Sequence, residues 1–146
     1  MLVDGPHGSF RPGAAGEPYV LIAAGIGITP VMSMLRTFDD DDDPRALTLV
    51  YGSRGWDDIT FREELEQLGG RLSLEVVHVL SDPPTGWAGE RGRIERALLE
   101  RALTPDTRTR SHFVCGPPTM VDAVQIALDE LGIAPELVHV ERFAAA

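Results

Sequence analysis

An open parallel sheet with helices on both faces, of the α/β class, is the fold this chain predicts. Three observations predict it. Short apolar runs alternate with stretches of helical spacing from Tyr19 to Val140. The first run, Tyr19-Val20-Leu21-Ile22-Ala23-Ala24, has no polar break, as in a strand covered on both faces. Two runs end in glycine turns that lead straight into helical patterns, Ala24-Gly25-Ile26-Gly27-Ile28-Thr29-Pro30 and Cys115-Gly116-Pro117-Pro118-Thr119-Met120. Parallel strands joined this way need right-handed crossovers, and these place helices on the sheet faces.

Residues 1–18 are rich in Gly and Pro and read as irregular. After the first strand, Val31, Leu35 and Phe38 mark one face of a helix, with Thr29 expected as N-cap and Pro30 at the first helical position. Ala46–Tyr51 is the second strand, ended by Gly52. Phe61, Leu65 and Leu68 form the stripe of a second helix, closed by Gly69-Gly70. Residues 72–76 alternate before Val77–Leu80, which suits a third strand at a sheet edge. Ser81 to Gly92 reads as a loop, with Pro83-Pro84 and Trp87 inside it. Ile94, Leu98 and Leu99 mark a third helix that ends near Thr104-Pro105. His112–Cys115 is the fourth strand. Val121, Val124, Leu128 and Leu131 line the fourth helix, and Leu137–Val140 is the fifth strand. The expected order of the five strands is 3-2-1-4-5, because that order sets the two glycine turns side by side at the switch point.

The composition narrows the function classes. The chain has 146 residues, 43% apolar and 25% charged, enough for one domain with a full core. It has no run of about 18 apolar residues, so no direct membrane insertion is expected of it. No basic, apolar leader opens it. A net charge of −10 argues against nucleic acid or an anionic membrane surface as partner. The run Asp39-Asp40-Asp41-Asp42-Asp43 lacks the spaced ligands of a calcium loop and reads as a solvated connection. Cys115 is the one cysteine; it permits no internal disulfide or cysteine-cluster metal site and fits a reducing, cytoplasmic setting. His7, His78, His112 and His139 have no metal-ligand spacing, and no metal is expected. Neither a nucleophile elbow nor a P-loop is present.

A strand that runs into a glycine turn and then a helix aims backbone N–H groups and the positive helix end at one point, which attracts phosphate. Two such points on one sheet suggest a ligand that spans them, such as a dinucleotide. Gly25 and Gly27 permit close approach of a pyrophosphate, Ile28 lies in the same turn and Thr29 offers a hydroxyl. Pro30 is structural in either case, and the simpler account of the whole turn is a tight strand–helix junction. Met120 packs under the second turn. Cys115 has no His or Asp nearby in sequence to activate it, so it is no nucleophile. Cofactor choice turns on the adenosine ribose. Ser53-Arg54, after the second strand, suits a 2′-phosphate, whereas Asp82 of Ser81-Asp82, after the third, repels one. For the nicotinamide dinucleotide that the family resemblance described next implies, the balance leans to NADH over NADPH.

These segments resemble the ferredoxin–NADP reductase superfamily, whose dinucleotide domain is Rossmann-like. Gly25-Ile26-Gly27-Ile28-Thr29-Pro30 resembles its G-x-G-x-T-P turn, and Cys115-Gly116-Pro117-Pro118-Thr119-Met120 its C-G-P-x-x-M turn. Tyr51-Gly52-Ser53-Arg54 and residues 87–94 resemble its intervening loops, and Glu141-Arg142-Phe143 its terminal Glu-x-aromatic. Val3-Asp4-Gly5-Pro6-His7-Gly8-Ser9-Phe10 resembles the end of its flavin-binding barrel. The resemblance implies a remnant of the flavin-domain seam over residues 1–10 and a nicotinamide-dinucleotide domain over 11–146. It implies that Cys115, Gly116 and Pro117 lie at the nicotinamide, that Glu141 orders the site, and that Phe143 lies against the flavin. FAD sits in a barrel domain, and electrons pass on to a haem, an iron–sulfur centre or a ferric chelate. Relatives include soluble oxygenase reductases and cytosolic tails of membrane ferric reductases, so attachment of a parent protein to a membrane stays open. The competing class is a non-enzymatic module that senses nucleotide or docks a partner.

Overall fold

The computed structural model describes residues 16–143; the expected seam at residues 1–10 lies outside them. In chain order the elements are β1 (Tyr19–Ala24), α1 (Ile28–Asp40), β2 (Ala46–Ser53), α2 (Arg62–Gly69), β3 (Ser73–Leu80), β4 (Glu90–Arg91), α3 (Arg96–Ala102), β5 (Ser111–Gly116), α4 (Pro118–Glu130) and β6 (Val138–Arg142). All strand pairs are parallel, in the order β4-β3-β2-β1-β5-β6. The five expected strands therefore take the expected order. The sixth, β4, pairs only Glu90 and Arg91 with Val79 and Leu80, too short a piece to carry a period in sequence. At the other edge, Glu141 falls inside β6 rather than after it.

Period-two alternation along β1 sorts the core into two layers. Tyr19, Leu21 and Ala23 face α1 and α2, where Val31, Leu35, Phe38, Leu65 and Leu68 are buried with them. Val20 and Ile22 face α3 and α4, against Leu98, Leu99, Val121, Val124 and Leu128. Both faces of β1 are dry, which is why the strand is apolar throughout. Arg45 closes the first layer: its guanidinium carbon lies 4.7 Å from the Tyr19 ring centre and 4.3 Å from that of Phe38. Asp43 holds the same guanidinium at 2.8 Å, and Asp39 pairs with Arg71 at 2.9 Å. Two residues of the acidic run thus tie the α1–β2 connection down.

The first glycine turn is a 3-10 turn over Gly25–Gly27. Its carbonyls at Gly25 and Ile26 accept from the Ile28 amide, so α1 starts at Ile28 and needs no side-chain cap. This corrects the sequence expectation: Thr29 is not the N-cap but the second helical residue, and Pro30 is the third. Pro118, at the start of α4, takes the position expected of Pro30.

His112 is wholly buried in β5, 2.7 Å from the Arg110 carbonyl oxygen through Nδ1. Burial pushes its pKa down to about 4, and Arg110 and His139 add charge repulsion. In the unfolded chain an imidazole takes up its proton near pH 6.5. Between those values the unfolded state binds more protons, so lowering the pH through this window drains stability, by up to about 3 kcal/mol from this group. An NMR titration is expected to show His112 neutral until near pH 4. Urea melts should give full His112-linked stability above about pH 6.5 and a progressive loss below it. Protonation of folded His112 near pH 6.5 would contradict this placement.

Candidate functional site

A cleft of about 810 Å³ opens over the carboxyl ends of β1, β2, β3 and β5. The N-termini of α1 and α4 flank it from opposite faces of the sheet. This is where open α/β sheets bind ligands, because neighbouring crossovers leave in opposite directions there. Gly25, Ile28, Thr29, Ser53, Arg54, Ser81, Pro117 and Met120 all line it, so most of the expected binding residues are brought together.

The two glycine turns touch. A methyl on Gly27 would overlap the Cys115 carbonyl and come within 2.8 Å of the Gly116 amide nitrogen. A methyl on Gly116 would come within 2.5 Å of the Met120 methyl and 3.3 Å of the Ala24 carbonyl oxygen. Gly27 and Gly116 thus form the floor, not the lining. Gly25 does the opposite: its φ is +57°, and nothing lies within 4 Å of where a side chain would begin. The floor is packed and the mouth over Gly25 is open, which is the shape a phosphate cradle requires.

The electrostatics agree. Neither α1 nor α4 has an acidic residue in its first turn or a side-chain cap. Each helix end presents backbone donors and positive dipole to the cleft. Inside, the Ser53 hydroxyl oxygen is buried with no partner among the described residues. These features fit an anionic ligand carrying hydroxyl groups.

Several expected residues sit beside the cleft. Cys115 is fully buried. Burial, with the Glu141 carboxylate nearby, pushes its thiol well above the usual range, so it stays protonated. Pro30 lies in α1 outside the lining. Asp82 stands on the rim, its carboxylate 4.0 Å from Arg54 Nε, with both side chains largely exposed. Glu141 pairs in register with Cys115, and the Phe143 amide donates to the Gly116 carbonyl at 2.9 Å. The last two therefore flank the second turn from the β6 side.

The structure adds residues that sequence reasoning missed. Phe61, Arg93, Ile94, Glu95 and Thr119 also line the cleft. Phe61 adopts a left-handed φ of +64°, rare for an aromatic residue. Arg93 and Glu95 follow β4; the sequence reading ends the loop at Gly92 and opens the third helix at Ile94, whereas α3 starts at Arg96. Gly92 was the available signal, with a φ of +98° where the chain turns back over β3.

A sequence model described as the oxidoreductase NAD-binding domain matches residues 21–126. The chain belongs to the oxidoreductase NAD-binding domain family. An NADH-cytochrome b5 reductase-like protein of Emericella nidulans is 36% identical over 125 residues, covering 84% of this chain and 26% of that protein. The glycine betaine monooxygenase reductase subunit of Chromohalobacter salexigens is 33% identical, covering 99% of this chain and 40% of that one. Among solved structures, the Amycolatopsis cytochrome P450 reductase is 30% identical with a TM-score of 0.77, covering 97% of this chain and 43% of that one. The CS-b5R domains of human Ncb5or, in an NAD+ form, are 29% identical with a TM-score of 0.78, covering 95% and 39%. The chain thus spans well under half the length of these relatives. The matched region carries the first turn, the residues that line the cleft and most of α4. Among the described residues there is no metal-ligand cluster and no helix long and apolar enough to cross a membrane.

The geometry separates the two glycines of the first turn. Asn tolerates the left-handed region, so Gly25→Asn is expected to cost less than about 1 kcal/mol. Gly27→Ala adds a smaller group but forces it into backbone, and is expected to cost about 1–3 kcal/mol. Urea denaturation of both variants measures this; equal costs, or a larger cost at Gly25, would refute the assignment.

Proposed function

We propose that this chain holds a nicotinamide dinucleotide across the cleft and presents its nicotinamide to a flavin carried by a separate barrel domain. The observation that carries the proposal is the contact between the two turns, which makes one continuous floor under two helix N-termini. Gly25, Ile28 and Thr29, with the start of α1, hold the pyrophosphate; Gly27 lets that turn sit on β5, and Pro30 stiffens the first helical turn. Gly116, Pro117 and Met120 shape the nicotinamide end. Cys115 supports it from below as a neutral, buried group. Glu141 and Phe143 close the β6 side, where the flavin ring is to meet the nicotinamide.

When bound, the cofactor supplies a hydride from nicotinamide C4 to FAD, from which electrons leave for a haem, an iron–sulfur centre or a ferric chelate. The chain's own part is to orient the ring and keep water from it. The names of the relatives support this reading, since several are reductases that serve a cytochrome or an oxygenase. The acceptor, the flavin-domain partner and a cytoplasmic setting belong to the proposal.

At the adenosine end, Ser53, Arg54, Ser81 and Asp82 meet the ribose. Asp82 accepts from a free 2′-hydroxyl and offsets Arg54, which favours NADH. Calorimetric titration is expected to show NADH binding more tightly than NADPH. Asp82→Arg is expected to move the NADPH-to-NADH affinity ratio up by about tenfold, the size of one new charge-assisted hydrogen bond together with the removal of one repulsion. An unchanged ratio would remove Asp82 from the ribose site. If the native chain binds neither nucleotide, the proposed function fails.

A further inference from the structure

Phe61 holds a backbone conformation that its residue type resists. Its φ is +64° and its ψ +23°, in the left-handed region. A Cβ crowds the neighbouring carbonyl oxygen there, and an aromatic side chain has no local hydrogen bond to offset it. Asp42, with a φ of +50°, is the other non-glycine case among the described residues, and its short polar side chain suits an exposed turn. Phe61 also opens α2, at the position where Ser, Thr, Asp or Asn would supply a capping oxygen. No side chain caps α2; the Phe61 carbonyl accepts from the Leu65 amide at 2.9 Å. The fold thus bears strain and forgoes a cap to keep a ring at this position. Strain of this kind persists only where neighbours over-determine it, and it collects at ligand clamps.

The neighbours hold Phe61 from both sides. Tyr51 is buried beneath the loop, and its phenol oxygen accepts from the Thr60 amide at 3.2 Å and donates to the Thr60 carbonyl at 3.3 Å. The Arg36 guanidinium carbon lies 5.2 Å from the centre of the Phe61 ring, and Glu64 fixes that guanidinium with two bonds of 2.7 and 2.8 Å. The ring itself is half-buried and packs in part against the core layer under α1 and α2. It also stands between two cavities. One is the cleft, and the other is a smaller space of about 360 Å³ that Asp57, Ile59 and Glu63 help to line. A ring that only filled the core would not divide two open spaces. Ile28, Tyr51 and Ser53 line the cleft with it, so this wall rises over the ends of β1 and β2.

We propose that Phe61 is a binding residue, a rigid aromatic wall on which the adenosine half of the dinucleotide packs, and that its left-handed strain is kept for this contact. The proposal rests on the dinucleotide reading of the cleft. Helix ends and backbone amides hold a diphosphate by charge, but they give little to the sugar and base beyond it. A fixed ring supplies that apolar contact without losing rotamer freedom on binding.

The test uses the 146-residue chain with NADH, 5′-ADP and nicotinamide mononucleotide. By NMR on the isotope-labelled native chain, Overhauser contacts are expected between Phe61 ring protons and adenosine protons of bound 5′-ADP. Saturation with 5′-ADP and no such contact would overturn the proposal, whatever the variants do. By calorimetry, Phe61→Asn is expected to weaken NADH and 5′-ADP at least about fivefold and to leave nicotinamide mononucleotide within about twofold. Phe61→Tyr keeps the ring and should stay within about twofold of native for all three. Asn tolerates the left-handed region, so the thermal midpoint of Phe61→Asn is expected within about 4 °C of the native one. A purely structural ring predicts the reverse, a lowered midpoint with unchanged affinity, and that result would overturn the proposal. Equal weakening of all three ligands would also overturn it. A native chain that binds neither NADH nor 5′-ADP would instead sink the dinucleotide reading itself.

Discussion

Gly27 rests on the Cys115 carbonyl with no room for even a methyl group between them. This backbone-on-backbone approach fixes how the end of β1 meets the end of β5. Both helices that follow are launched from this junction, α1 onto one face of the sheet and α4 onto the other. The cleft is the space left where they part. The Phe143 amide, bonded to the Gly116 carbonyl, ties the end of β6 to the same point. Three strand ends are thus set by contacts among main-chain atoms, which do not swing as side chains do.

That rigidity has a function if the ligand is a dinucleotide. The pyrophosphate end and the nicotinamide end belong to different turns, and their separation is set by one strand spacing in the sheet. Hydride transfer is sensitive to the placement of the reacting atoms, so a shared floor serves better than two independent loops. The two core layers hold the floor from beneath. Alternate residues of β1 pack against α1 and α2 on one side and α3 and α4 on the other. A change in either layer reaches the floor through the same strand.

The sheet was legible in the sequence because its signals are strong and local. An unbroken apolar run of six residues is short for a helix and suits a strand with two dry faces, and Gly25 and Gly27 break it where a turn must be. What was hidden shows why. Two residues of β4 carry no period, so the edge strand vanished into the loop after Asp82. Thr29 and Pro30 look like a cap and a first position, but the carbonyls of a 3-10 turn cap α1 first and shift the helix start by two residues. Cys115 stands in the right motif, yet only its carbonyl reaches the junction; its thiol is buried in the sheet. Phe61 was missed as a site residue because it reads as the first apolar position of the second helix, whereas the structure sets it just before α2 with a left-handed φ, and Arg93 was missed because a lone Arg enters a site by tertiary placement and carries no pattern of its own.

The central claim is that the two turns act as one cradle for one ligand. Amide chemical shifts of the labelled chain, followed as NADH is added, test it most directly. The account predicts that amides of Gly25 to Thr29 and those of Gly116, Thr119 and Met120 move together, along curves that share a single dissociation constant. Movement of one turn without the other, or two distinct constants, would contradict it.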